Sequence, residues 1–135
     1  MENATQIAVR KLNFLSAGVR CDAVKLLASL ESPTEEVVSA LGAALQDEKD
    51  YVRERVAKAL YCIGAHHPQI AVAALLEALR TESSYVRADI VDALGAVAEK
   101  SQEEFPELAP KLQELLEDDV FEVRKSAAYA LYLIQ

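Results

Sequence analysis

The chain has 135 residues, 52% of them hydrophobic but only 6% aromatic, with four Gly, four Pro, no Trp and a formal net charge of −8. One domain's worth of chain built mainly from Ala, Leu and Val suits closely packed helices, whereas a strand-rich fold wants more β-branched and aromatic side chains. The scarcity of Gly and Pro argues against long linkers, no apolar run approaches the roughly 20 residues of a membrane span, and the charge disfavours binding to a phosphate backbone.

In chain order, the spacing predicts a first helix over 4–15 and a second over 19–30, opened by Val19-Arg20 after Ser16. The pattern then recurs: Thr34–Leu45 followed by a helix from Val52-Arg53, Pro68–Leu79 followed by one from Val86-Arg87, and Pro106–Leu116 followed by Val123 to Ile134. The arginines stand 33, 34 and 37 residues apart, and Leu12, Leu45, Leu79 and Leu116 each lie eight residues before one. Self-similarity at this period marks a solenoid, in which each unit buries its apolar face only against its neighbours. Ser16, Asp50 and Ser84 stand as N-cap candidates for the second helices, and Pro33, Pro68 and Pro106 sit at or just before the first helices, where a missing N–H costs nothing. Pro110 falls a turn into its helix and should kink or delay it. The acidic insert around Ser101-Gln102-Glu103-Glu104-Phe105 reads as a longer loop and not as a domain boundary. The units run roughly 1–31, 32–66, 67–100 and 101–135, forming a single domain.

A helix–turn–helix unit with this Leu spacing, an Asp six residues before a Val-Arg pair and an Ala-x-x-Ala-Leu-Gly-like continuation resembles the HEAT repeat. It is most similar to the short variety found in phycobilisome lyase subunits. The stretch VRERVAKALYCIGAHHPQIAVAALLEALRTESSYVRADIVDALGAVA carries the resemblance most clearly. It implies an all-α, right-handed α-solenoid of about four HEAT-like helix pairs, with the second helices on the concave side. It also implies a ladder of hydrogen bonds between turn aspartates and helix arginines. By spacing Asp47 pairs with Arg53 and Asp118 with Arg124, while Thr81 before Arg87 and Phe14 before Arg20 leave the ladder incomplete and the first unit degenerate.

Nothing in the sequence points to catalysis or a cofactor. Cys62 and His66, four apart at a helix end, lack the further ligands that a closed zinc site needs, so Cys62 reads as packing and His66-His67 as a solvated helix end. The two cysteines, with no secretory cue, read as reduced thiols of a cytoplasmic protein. The ladder arginines read as structural, since their forks suit buried pairing. What remains is a binding surface. Exposed positions of the second helices form a basic segment, Lys25, Arg55 and Lys58, beside an acidic one, Asp89 and Asp92. The last helix is apolar nearly all round, leaving Tyr129, Tyr132 and Leu133 uncovered as a contact for a partner or a homodimer mate. Tyr51 and Tyr85 are assigned to packing around their turns.

Charge sharpens the expectation. Residues 1–67 carry −1 and residues 68–135 carry −7, a field that attracts a basic protein surface and repels nucleic acid. The expected function is a non-enzymatic scaffold, adaptor or small acidic inhibitor. The alternatives are an immunity protein neutralising a basic toxin or nuclease, or a subunit of a bilin lyase.

Overall fold

The computed structural model describes residues 2–81, 83–101 and 103–135. Among them the chain forms eight α-helices: α1 (Ala4–Lys11), α2 (Ala17–Ala28), α3 (Glu35–Ala44), α4 (Asp50–His66), α5 (Pro68–Ala78), α6 (Ser84–Lys100), α7 (Leu108–Leu115) and α8 (Phe121–Leu133). They stack as four antiparallel pairs into an α-solenoid. The repeating leucines Leu12, Leu45 and Leu79 are buried at the C-caps of the first helices, while Leu116, the fourth, is 36% exposed.

Local signals explain the helix ends. Asn3 and Gln6 form a reciprocal capping box at α1, and Thr34 caps α3 by accepting from the Val37 N–H. In the second helices the N-cap lies four residues before the arginine, because a cap oxygen accepts from the N–H three residues on, which is that of the repeating valine. Ser16 accepts from Val19 and Ser83 from Val86. The expected caps Asp50 and Ser84 are therefore one residue late: both are first-turn residues, and α4 is preceded by Lys49 with no side-chain cap bond. Pro110 delays its helix as expected, since α7 starts only at Leu108 and holds the proline in its first turn, where no backbone bond is lost. Of the insert, Gln102 lies outside the described residues, and Phe105 folds back against the core.

Two glycines set the spacing between second helices. A Cβ on Gly64 would stand 2.7 Å from Val97 Cγ2, and one on Gly95 would stand 2.9 Å from Ala130 Cβ and 3.1 Å from Ala130 Cα. Gly64 thus leaves room for the Val97 side chain of α6 against α4, and Gly95 lets the backbone of α8 close on that of α6. The second helices pack side by side, α2 on α4, α4 on α6 and α6 on α8, whereas among the described residues of the first helices extensive contact is made between α3 and α5. The second helices are thus the more continuously packed layer.

An arginine ladder locks the pairs together. Arg20 donates from Nε to Asp47 Oδ2 at 2.6 Å and from Nη2 to Asp47 Oδ1 at 3.0 Å, while its Nη1 donates to the carbonyls of Phe14 and Leu15. Arg87 repeats this fork on Asp118 at 3.0 and 3.1 Å, with Nη1 on the Thr81 carbonyl. Each arginine therefore ties its own turn through a carbonyl and the following turn through a carboxylate. This corrects the pairing inferred from spacing. Arg53 and Arg124 meet Asp47 and Asp118 only at their carbonyls, both at 2.8 Å, because six residues separate arginine and aspartate across one turn and bring the backbone, not the carboxylate, into reach. Both carboxyls are held below the usual carboxylate range. Desolvation works against their charge, but for Asp47 the Arg20 fork and the Lys49 N–H outweigh it, and for Asp118 the Val120 N–H and the Arg87 fork do so.

One rung lacks its carboxylate. The residue that Arg53 should reach in the next turn is Thr81, whose hydroxyl donates instead to Gln46 Oε1 at 2.6 Å. Arg53 Nε is buried without a hydrogen bond, 4.0 Å from Asp89 Oδ2 on α6. Phe14, in contrast, removes no rung among the described residues, because none of the ladder arginines Arg20, Arg53, Arg87 and Arg124 comes before it. The missing rung is in the middle of the stack and not at its first unit.

Candidate interaction surface

Each second helix turns one row of side chains away from the core, and equivalent positions carry different charges. Two and five residues after the ladder arginine stand Asp22 and Lys25 on α2, Arg55 and Lys58 on α4, Asp89 and Asp92 on α6, and Ser126 and Tyr129 on α8. These side chains point away from the core because their neighbours at helical spacing, Val24, Val56, Ile90 and Ala127, take the buried positions. Lys25, Arg55 and Lys58 converge on one cleft of about 240 Å³ between α2 and α4. Asp89 and Asp92 sit one helix further along.

Both of those carboxyls are pushed above the usual carboxylate range, chiefly by desolvation. Arg53 opposes the shift at Asp89 while Asp92 and Glu54 add to it; at Asp92, Ser126 and Lys125 oppose it and Glu122 adds to it. Asp92 nevertheless remains exposed to water.

At the end of the stack Tyr129 and Tyr132 are 59% and 69% exposed, with rings stacked 6.2 Å apart between centroids. Leu133 differs from the expectation. It is half-buried, and its Cδ1 lies 3.5 Å from the Cβ position of Gly95, so the close approach of α8 to α6 covers it. Val123 and Ala127 are buried, joined by Ala130 against Gly95.

Tyr51 and Tyr85 do not pack around their turns. They are 47% and 75% exposed, since both occupy the first turn of a helix whose inward position belongs to the following valine. With Leu15 and Phe121 they place one exposed large apolar side chain at each turn, a row that the reading of the sequence missed. In sequence each lies two to five residues before a ladder arginine, but that spacing does not say whether a neighbouring turn covers it. His67 is also not free in solvent, for its Nε2 lies 3.2 Å from the Glu31 carbonyl and ties α4 to the preceding pair. Among the described residues no cluster of three or more potential metal ligands occurs, and no helix is long and apolar enough to cross a membrane.

Comparison with known proteins agrees with this geometry. The family model for HEAT repeats matches residues 61–132. A crystal structure of an engineered protein superposes with a TM-score of 0.55 at 22% identity, over 96% of this chain. The chain spans 62% of that protein's length, and at this identity the likeness speaks to the fold alone. No curated protein sequence matches the chain.

Proposed function

The chain belongs to the HEAT-repeat family, whose members are in general protein-interaction modules, and from that premise we propose that it is a non-enzymatic adaptor or inhibitor that docks a partner protein in its inner hollow. The observation that carries this reading is the row of charged side chains on neighbouring second helices, Lys25, Arg55 and Lys58 around the cleft between α2 and α4 and Asp89 and Asp92 on α6, which are used for none of the strong internal ion pairs. Such fixed charges orient a partner and set its register more than they add raw affinity. The acidic C-terminal half favours a partner with a basic surface over α6 and α8, as an inhibitor of a basic toxin or nuclease would require. The stacked Tyr129 and Tyr132, amphipathic and exposed at the end of α8, are a second contact, for the same partner or for another copy of this chain.

Photo-crosslinking groups at positions 55 and 92 in the hollow, at Tyr132 on α8 and at Gln113 on the exposed side of α7 test the reading in cells of the source. Capture of one protein from both hollow positions and not from position 113 supports it, and capture of a second copy from position 132 assigns α8 to self-association. Equal capture from position 113, or none from the hollow, refutes it.

A further inference from the structure

We infer that the cleft between α2 and α4 is an anchor site for an acidic segment of a partner protein, one that carries a carboxylate beside a small apolar side chain. The inference deepens the docking reading above and rests on it, by naming what the partner presents at one end of the hollow. The net charge of the chain predicts the opposite chemistry, a basic ligand, so the local arrangement is what decides.

Three observations carry it. In a chain with 22 acidic and 14 basic side chains, Lys25, Arg55 and Lys58 converge on one cleft, yet take part in none of the ion pairs among the described residues. Acidic side chains outnumber basic ones over the chain as a whole, so three neighbouring cations paired with none of them form a patch of complementary potential for a carboxylate. Val24, Ala28 and Ala59 add an apolar lining to the cleft, and these small side chains leave room for an apolar group of the partner beside its carboxylate. The patch is also short. One helix further on the same positions are Asp89 and Asp92, so a polyanion running along the hollow meets repulsion within the roughly 10 Å that separates neighbouring helices. A phosphate backbone is therefore disfavoured and a local acidic anchor is favoured. A partner helix lying across the hollow would advance that distance in about seven residues, which places a basic side chain two turns after the acid, opposite Asp89 and Asp92.

The test is a titration of the full ¹⁵N-labelled chain with a short peptide of interleaved Glu and Leu, compared with one of interleaved Lys and Leu and with a single-stranded oligonucleotide. The expected result is a set of amide shifts confined to the α2 and α4 residues around the cleft for the Glu/Leu peptide, weakened by salt. Lys25→Glu/Lys58→Glu, in a chain that keeps its far-ultraviolet circular dichroism, is expected to weaken that binding by roughly tenfold or more, and Lys25→Arg/Lys58→Arg to retain it. Shifts that fall on α6 and α8, equal binding after the charge reversal, or stronger binding of the oligonucleotide would each overturn the proposal. Such a failure leaves the cross-linking result untouched, so loss of the anchor and loss of the docking function are told apart.

Discussion

Thr81→Asp should restore the missing rung of the arginine ladder and make the protein more stable. The two intact rungs show what is gained. Asp47 takes Nε and Nη2 of Arg20 at 2.6 and 3.0 Å, and Asp118 takes those of Arg87 at 3.0 and 3.1 Å. Each aspartate also accepts the N–H two residues on, at Lys49 and Val120, a role Thr81 already fills toward Ser83 at 3.2 Å. The substitution therefore keeps the turn and changes only the partner of Arg53. A hydrogen bond to a charged group contributes about 1.5–3 kcal/mol. Against this stand the desolvation of a new carboxylate and the loss of the exposed Thr81–Gln46 bond, about 1 kcal/mol together, leaving a net gain of about 0.5–2 kcal/mol. For a chain of this size that is about 2–7 °C in Tm. Urea denaturation of the wild type, Thr81→Asp, Arg53→Gln and the double variant closes a cycle, in which the gain should vanish when Arg53 is absent. A neutral or destabilising Thr81→Asp, or a gain that survives in the Arg53→Gln background, would refute the reasoning.

Other consequences follow from the same coordinates. Gly95→Ala forces a methyl against the backbone of Ala130 and should cost about 1–3 kcal/mol by denaturant midpoint, with Ala130→Gly restoring part of it, whereas Gly18→Ala, whose nearest atom is Ser16 Oγ at 3.6 Å, should stabilise by about 0.5–1 kcal/mol through helix propensity. Ser83→Ala should cost about 1 kcal/mol and Ser84→Ala almost nothing, because Ser83 is the cap of α6. Asp47 and Asp118 titrate below their unfolded range, so their contribution is present above the unfolded carboxyl pKa and is lost as the pH falls through the lower folded values. Asp47→Asn/Asp118→Asn should accordingly flatten the acid limb of a Tm-against-pH curve. Asp89 and Asp92 act with the opposite sign, since their raised values make the folded state gain stability as they protonate, and Asp89→Asn/Asp92→Asn should raise Tm at neutral pH.

The architecture was legible because it is written in local rules. Apolar spacing, the eight-residue interval from leucine to arginine and the prolines at helix starts depend on residues close in the chain, and the helices follow them with ends shifted by a few residues, shorter in α1 and α7 and longer in α4 and α6. The N-caps of α4 and α6 shifted by one residue because the repeating valine, not the first polar residue before it, sets the register. Lys25, Arg55, Lys58, Asp89 and Asp92 were identifiable as outward positions from periodicity alone, but their convergence was not, since a cleft exists only once α2 and α4 lie side by side.

The sequence by itself determined an array of helix pairs, the face each helix buries and the residues left over for recognition, all of which depend on spacing along one element. Tertiary structure alone decided which arginine forks onto which aspartate, that Arg53 forks onto none, that Leu133 is half-buried while Tyr51 and Tyr85 stand exposed, and which second-helix charges share a cleft. The physical reason is reach: an arginine fork spans the gap to the next turn and a glycine lets two backbones close, so these partners are set by the distance between helix pairs, which no pattern within a single pair encodes.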